Sequence, residues 1–265
     1  MSIGGNDLGE YIQNFMKFRP LLGELVARDI KIKYRRSVLG VLWTLLNPLC
    51  MMIILSVVFS NIFKFDIENF PLYVLSGQVV FNFYNDSTST AMASIVQNAP
   101  LIKKVYVPKY LFVLSRIFSS FINLLASVTA LILVMVATRI DLKWTVVLSV
   151  IPLTFLVVFS LGVGLFLAAL TVKFRDIMHL YSVFTTALMY LMPVIYPMSM
   201  LPAGIKKIVL LNPLTNLLQM FRDVMLNGIV FSFSSVIIGA VEAIVMLAIG
   251  LYVFYKNQDE FILNI

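Results

Sequence analysis

His179, the only histidine in the chain, lies in the stretch TVKFRDIMHLYSV at residues 171–183, just after Arg175 and Asp176. An imidazole near a carboxylate is the pairing from which general bases are built. This stretch could be a catalytic site at a membrane edge, or a short cytosolic hairpin gripped by another protein. A solitary histidine cannot make a His-based metal site, and a Ser–His–acid triad would need its other members from distant segments. HExxH and GxSxG are absent. So is GxxxxGK[ST], whose backbone N–H groups cradle nucleotide phosphates, and no Gly-Lys dipeptide occurs. The single cysteine, Cys50, excludes an intramolecular disulfide, a CxxC pair or a Cys-based zinc site. It reads as a small buried side chain in an apolar run. No catalytic residue, metal site or resident cofactor is expected, and His179 reads as a loop histidine at a membrane edge.

The elements that carry these residues are greasy. Of 265 residues, 60% are hydrophobic and 12% charged, with mean hydropathy +0.96. A soluble domain would hold about 25% charged residues, so these charges are too few to coat a globule. Crossing about 30 Å of hydrocarbon takes roughly 20 apolar residues. Six segments qualify: 38–63, 71–97, 110–137, 145–170, 177–198 and 236–255. The fifth qualifies if MPVIYP (192–197) is a broken helix end, since Pro193 and Pro197 each lack a backbone donor. The fold class is therefore all-α integral membrane. Residues 1–37 form a cytosolic segment, 38–256 the transmembrane domain and 257–265 a cytosolic tail. The first 37 residues are charged throughout and offer no signal-peptide core, so 38–63 is expected to stay as an anchor.

Six spans put both termini on one side of a plasma membrane, and basic residues choose that side. Seven lie in the N-terminal segment (Lys17, Arg19, Arg28, Lys31, Lys33, Arg35, Arg36), and Lys103, Lys104, Lys109, Arg116, Lys173, Arg175 and Lys256 share their side. The other side holds only Lys64, Arg139, Lys143, Lys206, Lys207 and Arg222. Both termini are expected in the cytosol. The net charge of +7 is thus a topology signal, and no nucleic-acid partner is implied. Leu8, Ile12, Phe15, Phe18 and Leu22 recur every three to four residues, which predicts an amphipathic helix on the cytosolic leaflet, in contact with membrane lipids and broken at Pro20. Residues 199–235 are apolar but interrupted by Pro, Gly and Lys, and read as short helices dipping into the outer leaflet.

Polar groups that persist in hydrocarbon usually face the bundle interior or a water path. In the second span Gln78, Asn82, Asn85 and Ser89 fall on one stripe at 100° per residue, with Asp86 at its edge. The stripe either bonds helix to helix, with Ser87, Ser89, Ala91 and Ala93 allowing close approach, or lines a hydrophilic passage. Tyr84, Tyr190 and Tyr196 stand near pore positions, where aromatic faces could stack on sugar rings; packing is the alternative for each. Glu242 in the last span is either a proton or cation site, or the partner of a nearby donor.

Two cytosolic hairpins, NAPLIKKVYVPKYLF (98–112) and TVKFRDIMHL (171–180), mix basic and apolar residues as docking surfaces do. Positive-inside flanking explains their Lys and Arg but not Val105, Tyr106 and Phe174. LVARDIKIKYRRSVLGVLWTLLNPL (25–49), LIKKVYVPKYLFVLSR (101–116), VKFRDIMHLYSVFTTALMYLMPVIYP (172–197) and LNPLTNLLQMFRDVML (211–226) occur in this order. Together they resemble the permease subunits of type-2 ABC exporters for cell-surface polysaccharides, the O-antigen, capsule and teichoic-acid group. The resemblance covers nearly the whole chain. It implies a homodimer of six-span subunits above two separate ATPase subunits that carry ATP and Mg²⁺, with a lipid-linked glycan as substrate.

The resemblance also makes 8–36, including Arg28, Asp29, Lys33, Tyr34 and Arg35, an interface helix, and 199–235 outer re-entrant helices. Leu101, Ile102, Lys103, Lys104, Val105, Tyr106 and Pro108 would form a coupling helix in the ATPase groove. Phe174, Arg175 and Asp176 would form the second contact, with Arg175 and Asp176 pairing or capping within the loop. Two other readings stand beside it. One is a type-2 ABC permease for drugs or smaller lipids. The other is a proton-coupled secondary carrier dependent on Glu242 or Asp86.

Overall fold

The computed structural model describes residues 8–35, 37–63, 67 and 69–264; the side chains of residues 8–15, 34, 41, 60–63 and 264 lie outside it. The regular structure of the described residues is all helical, with no strand.

Helix α1 (Leu8–Tyr34) runs without a break through Pro20, contrary to the expected interruption. A proline removes one donor and crowds one carbonyl, and a long helix with further support absorbs both. Leu22 and Leu25 are buried and Phe18 is half-buried, so the predicted amphipathic face is real over this stretch. The side chains of Leu8, Ile12 and Phe15 lie outside those described. A turn at Gly40–Leu42, with Gly40 at φ +50°, precedes α2 (Trp43–Phe63). The first apolar helix therefore starts later than residue 38, because the positive φ at Gly40 ends the approach segment.

Helix α3 (Phe70–Gln97) leads through the one-turn α4 (Ala99–Ile102) to α5 (Tyr110–Ala137). A 3-10 stretch, Trp144–Ser149, opens α6 (Val150–Lys173), and α7 (Ile177–Leu191) ends before MPVIYP. Two short helices, α8 (Ala203–Leu210) and α9 (Pro213–Arg222), come next. A π-helical turn, Asp223–Asn227, closes on Gly228 at φ +67°. Helix α10 (Phe233–Asn257) and the short α11 (Phe261–Asn264) complete the chain.

Among the described residues, three helical stretches are long and apolar enough to cross a membrane: Tyr110–Ala137, Trp144–Lys173 and Phe233–Leu263. Trp43–Phe59 and Ile177–Leu191 are shorter apolar helices. The 28-residue α3 is more polar and sits at the centre, packed against α2, α5, α6, α7 and α9. Helices α6 and α10 make the closest pairing. A Cβ on Gly162 would come within 2.5 Å of the Met246 carbonyl, and one on Gly250 within 2.1 Å of the Gly162 oxygen. Backbones meet there because neither helix carries a side chain at the crossing.

The buried side chains form two clusters. The larger joins α3 to α5, α6, α7 and α9 through residues such as Leu75, Leu131, Leu156 and Phe221. The smaller gathers Leu22, Ile102, Phe112, Val172 and Phe261. Helix α2 is thinly covered, and Ile53, Ile54 and Val57 are exposed on it. Cys50 also stands exposed on α2, against the expectation of a buried side chain.

Candidate functional site

Gln78, Asn82 and Asp86 follow one another at four-residue spacing on α3 and so share a face. That face lines a cleft of about 440 Å³ whose other polar residues come from α2 (Thr44, Asn47), α5 (Ser120, Asn123, Ser127) and the end of α1 (Lys33), among apolar ones such as Trp43, Leu124 and Met189. Gln78 is only 3% exposed, and its Oε1 has no hydrogen-bond partner among the described residues. Asp86, expected at the edge of the stripe, is the hub. Its Oδ2 accepts from Ser120 Oγ at 2.8 Å and Asn123 Nδ2 at 3.3 Å, and Lys33 Nζ lies 3.8 Å from Oδ1. Asn85 and Ser89 are absent from the lining and bond one another at 3.4 Å.

The α5 residues escaped the sequence reading. Ser120, Asn123 and Ser127 recur at helical spacing in a span taken as plainly apolar, and that spacing was the available signal. Such a cleft offers amide and hydroxyl groups beside the Lys33–Asp86 pair and apolar side chains. Its chemistry is hydrogen bonding to a polar, hydroxylated guest.

A second, smaller cleft shares Lys33, Asp86, Ser120 and Asn123, and opens onto α1 at Asp29 and Ile32. The buried Asp29 pairs with Arg116 and with its neighbour Arg28, each at 3.2 Å, and Arg28 donates to Asn98 Oδ1 at 3.0 Å. Charge therefore pins α1 to α5 and to the end of α3. Arg35 is exposed, and the Tyr34 side chain lies outside those described.

The three tyrosines do not converge on the cleft. Tyr84 is buried on another face of α3, its ring 6.1 Å from that of Phe159. Tyr190 is exposed near the end of α7, and Tyr196 folds back to donate to the Tyr190 and Leu191 carbonyls at 2.8 and 3.0 Å. Beside them lies Arg222, counted in the sequence only as an outer basic residue. It is buried, and it donates to the carbonyls of Pro193 (2.7 Å), Tyr73 (2.9 Å) and Val194 (3.1 Å) and to Ser76 Oγ (3.1 Å). Its guanidinium stacks 3.5 Å from the centre of the Tyr73 ring. One side chain thus ties the broken MPVIYP segment to α3 and α9. No carboxylate pairs with it among the described residues. Carbonyl dipoles and the ring face carry the compensation.

The two hairpins lie exposed together with their basic residues. Ile102 and Val107 are buried anchors, while Lys103, Lys104, Val105 and Tyr106 project between them, Tyr106 at 92% exposure. Only Ala99–Ile102 is helical, so the segment to Pro108 is one turn followed by irregular chain. Phe174, Arg175, Asp176 and His179 are exposed. Arg175 and Asp176 do not pair, and the Asp176 side chain does not cap α7. Its backbone carbonyl makes the first turn instead, accepting from His179 and Leu180. Solvent competes for two exposed neighbouring charges, which leaves such a pair little to gain. Glu242 on α10 is half-buried, and its Oε2 has no hydrogen-bond partner among the described residues. Among the described residues no group of His, Cys, Asp and Glu could hold a metal ion.

Comparison with known proteins gives this arrangement a context. The family model described as ABC-2 type transporter matches residues 20–226. The chain is 26% identical over 243 residues to an O-antigen export system permease protein RfbA of Klebsiella pneumoniae, covering 91% of this chain and 93% of that one. It is 26% identical over 252 residues to RfbA of Myxococcus xanthus, covering 94% and 97%. The polysialic acid transport protein KpsM of Escherichia coli is 22% identical over 246 residues, covering 91% and 94%. A family match that takes in both clefts, both hairpins and Arg222 leaves one conclusion: this chain belongs to the ABC-2 type transporter family.

Proposed function

We propose that the chain is the membrane-spanning subunit of an ATP-driven exporter that moves lipid-linked polysaccharide across the bacterial plasma membrane. The observation that carries this reading is the amide- and hydroxyl-lined cleft of α2, α3 and α5, in a chain whose relatives are named for O-antigen and polysialic acid transport. A lining that mixes amides, hydroxyls and apolar side chains, with its one acid paired to Lys33, suits a hydroxylated chain that must slide rather than stay. Those relatives favour glycan export over drug export or proton-coupled transport.

Six spans cross the membrane in this reading, with α3 and α7 completing the set begun by the apolar helices and with both termini cytosolic. Residues 1–37 lie on the cytosolic leaflet, 38–256 span, 257–265 form the tail, and 199–235 dip into the outer leaflet. ATP hydrolysis, with its Mg²⁺, belongs to two copies of a separate subunit. A second copy of this chain completes the passage, packing against the thinly covered face of α2. Closure of the ATPase subunits pushes on 101–108 and 172–178, and the motion reaches the cleft through α3, α5 and α6. Gln78, Asn82 and Asp86 line the path, and Asn85 and Ser89 pack beside it.

Co-purification from detergent-solubilised membranes tests this. Wild type should bring down an ATPase subunit, and the Lys104→Glu/Tyr106→Ala double variant should release it without unfolding, because both side chains are exposed. A permease that comes down alone and transports in step with a proton gradient would overturn the reading.

A further inference from the structure

The chain beyond α10 is not a loose tail. After a 3-10 turn at Gln258–Glu260 it re-enters the protein as α11, and the Phe261 side chain is completely buried. Phe261 meets Phe254 edge to face, with ring centres 5.2 Å apart. It belongs to the same apolar cluster as Ile102 and Val107, the anchors of the first cytosolic hairpin, and Val172, the anchor of the second.

Two basic residues fasten the tail from opposite sides. Lys109, directly after the first hairpin's Pro108, donates to the Gln258 carbonyl and holds its ammonium 5.8 Å from the centre of the Phe261 ring. Lys173, at the start of the second hairpin, pairs with Glu260 at 2.8 Å. The hairpins are otherwise joined along the chain only through the full length of α5 and α6. The tail supplies a direct cross-link between them at the cytosolic face.

We infer that residues 258–264 are a strut that holds the two cytosolic hairpins at a fixed separation, with Phe261 and Glu260 as positioning residues for coupling. The inference rests on the proposed ATPase contacts for its purpose, but not for its geometry. Two segments pushed by one partner transmit a stroke only if they do not yield against each other. A clamp with an apolar centre and ionic flanks is stiff, yet it leaves Lys103, Lys104, Tyr106 and Phe174 free to meet the partner. An edge-to-face ring pair and a buried ring under an ammonium both fix orientation as well as contact.

The test uses the full chain in lipid nanodiscs, with Cys50→Ser and spin labels at Lys103→Cys and Arg175→Cys, diluted with unlabelled chain. Electron–electron double resonance reads the spread of distances between the hairpins. The strut predicts that Phe261→Ala broadens the distribution at least twofold and Phe261→Leu restores most of its sharpness. Glu260→Lys and Lys173→Glu should each broaden it, and the double exchange should narrow it again. These two side chains are partly exposed, so the charge series remains readable if Phe261→Ala fails to fold.

Together with its ATPase, Glu260→Lys should co-purify as wild type does, yet export at least fivefold less per ATP hydrolysed. Distance distributions indistinguishable from wild type across the series would overturn the strut. Sharp wild-type distances that broaden as predicted, with no ATPase bound to wild type, would leave the strut standing and remove the exporter reading.

Discussion

Replacing Arg222 by methionine keeps length and apolar bulk while deleting the guanidinium's donors from the knot at the N-terminal end of α3. Val194 O then loses its guanidinium, and Pro193 O keeps only the Tyr73 hydroxyl at 3.3 Å. Each stranded acceptor costs about 1–3 kcal/mol. The lost stacking on Tyr73 adds about 0.5–2 kcal/mol. Relief from burying a charge offsets part of this, so the net loss is about 1–4 kcal/mol.

For a chain of this size each kcal/mol moves the melting point by about 2–4 °C, so a fall of roughly 2–16 °C is expected. Thermal unfolding in detergent, followed by tryptophan and tyrosine fluorescence, measures it. Arg222→Lys should fall between the two, because a point charge cannot fork to three carbonyls. An Arg222→Met melting point within about 2 °C of wild type would refute the idea that this side chain holds the broken helix in place.

Three further outcomes follow from the geometry. Gly250→Ala puts a methyl group 2.1 Å from the Gly162 oxygen and should cost about 1–3 kcal/mol or more by overpacking, seen as a lowered melting point and less folded protein in the membrane. Asp86→Asn keeps acceptors for Ser120 and Asn123 but loses Lys33; the half-exposed pair is worth under about 1 kcal/mol, so folding should survive while export falls, which a surface-glycan immunoassay would show. His179→Ala should leave export within about twofold of wild type, because an exposed histidine in the first turn of α7, not in a loop as expected, carries no general-base role without a partnered polar network; a hundredfold loss in reconstituted vesicles would reopen the catalytic reading.

The apolar runs were easy to place because hydropathy is a local property: α5 begins and ends where its run does, at Tyr110 and Ala137. Local pattern fails where the answer depends on a distant neighbour. The α3 stripe was visible as a period, but which of its polar residues would meet α5 depends on how the two helices are turned, so Asp86 looked marginal and Asn85 central. Tyr84 shows the same limit, since residue type says nothing about which way a helix faces. Arg222 is the extreme case. Its partners Ser76 and Tyr73 lie 146 and 149 residues away in sequence, and nothing around it distinguishes a buried knot from an outer flanking charge. Proline was over-read at residue 20, where a long helix carries it. It was read correctly at 193 and 197, where the helix does end.

The glycine crossing of α6 and α10 has a consequence for how the molecule is made. Helix α6 leaves the ribosome well before α10, so its bare backbone at Gly162 first meets lipid acyl chains. Only later does a matching backbone displace them. Acyl chains do not match the bare backbone as closely as the α10 backbone that finally meets it, so this seam stays imperfectly filled until α10 arrives. Damage at either glycine should therefore be felt during biogenesis, as subunits cleared by membrane proteases, rather than as finished exporters that run slowly.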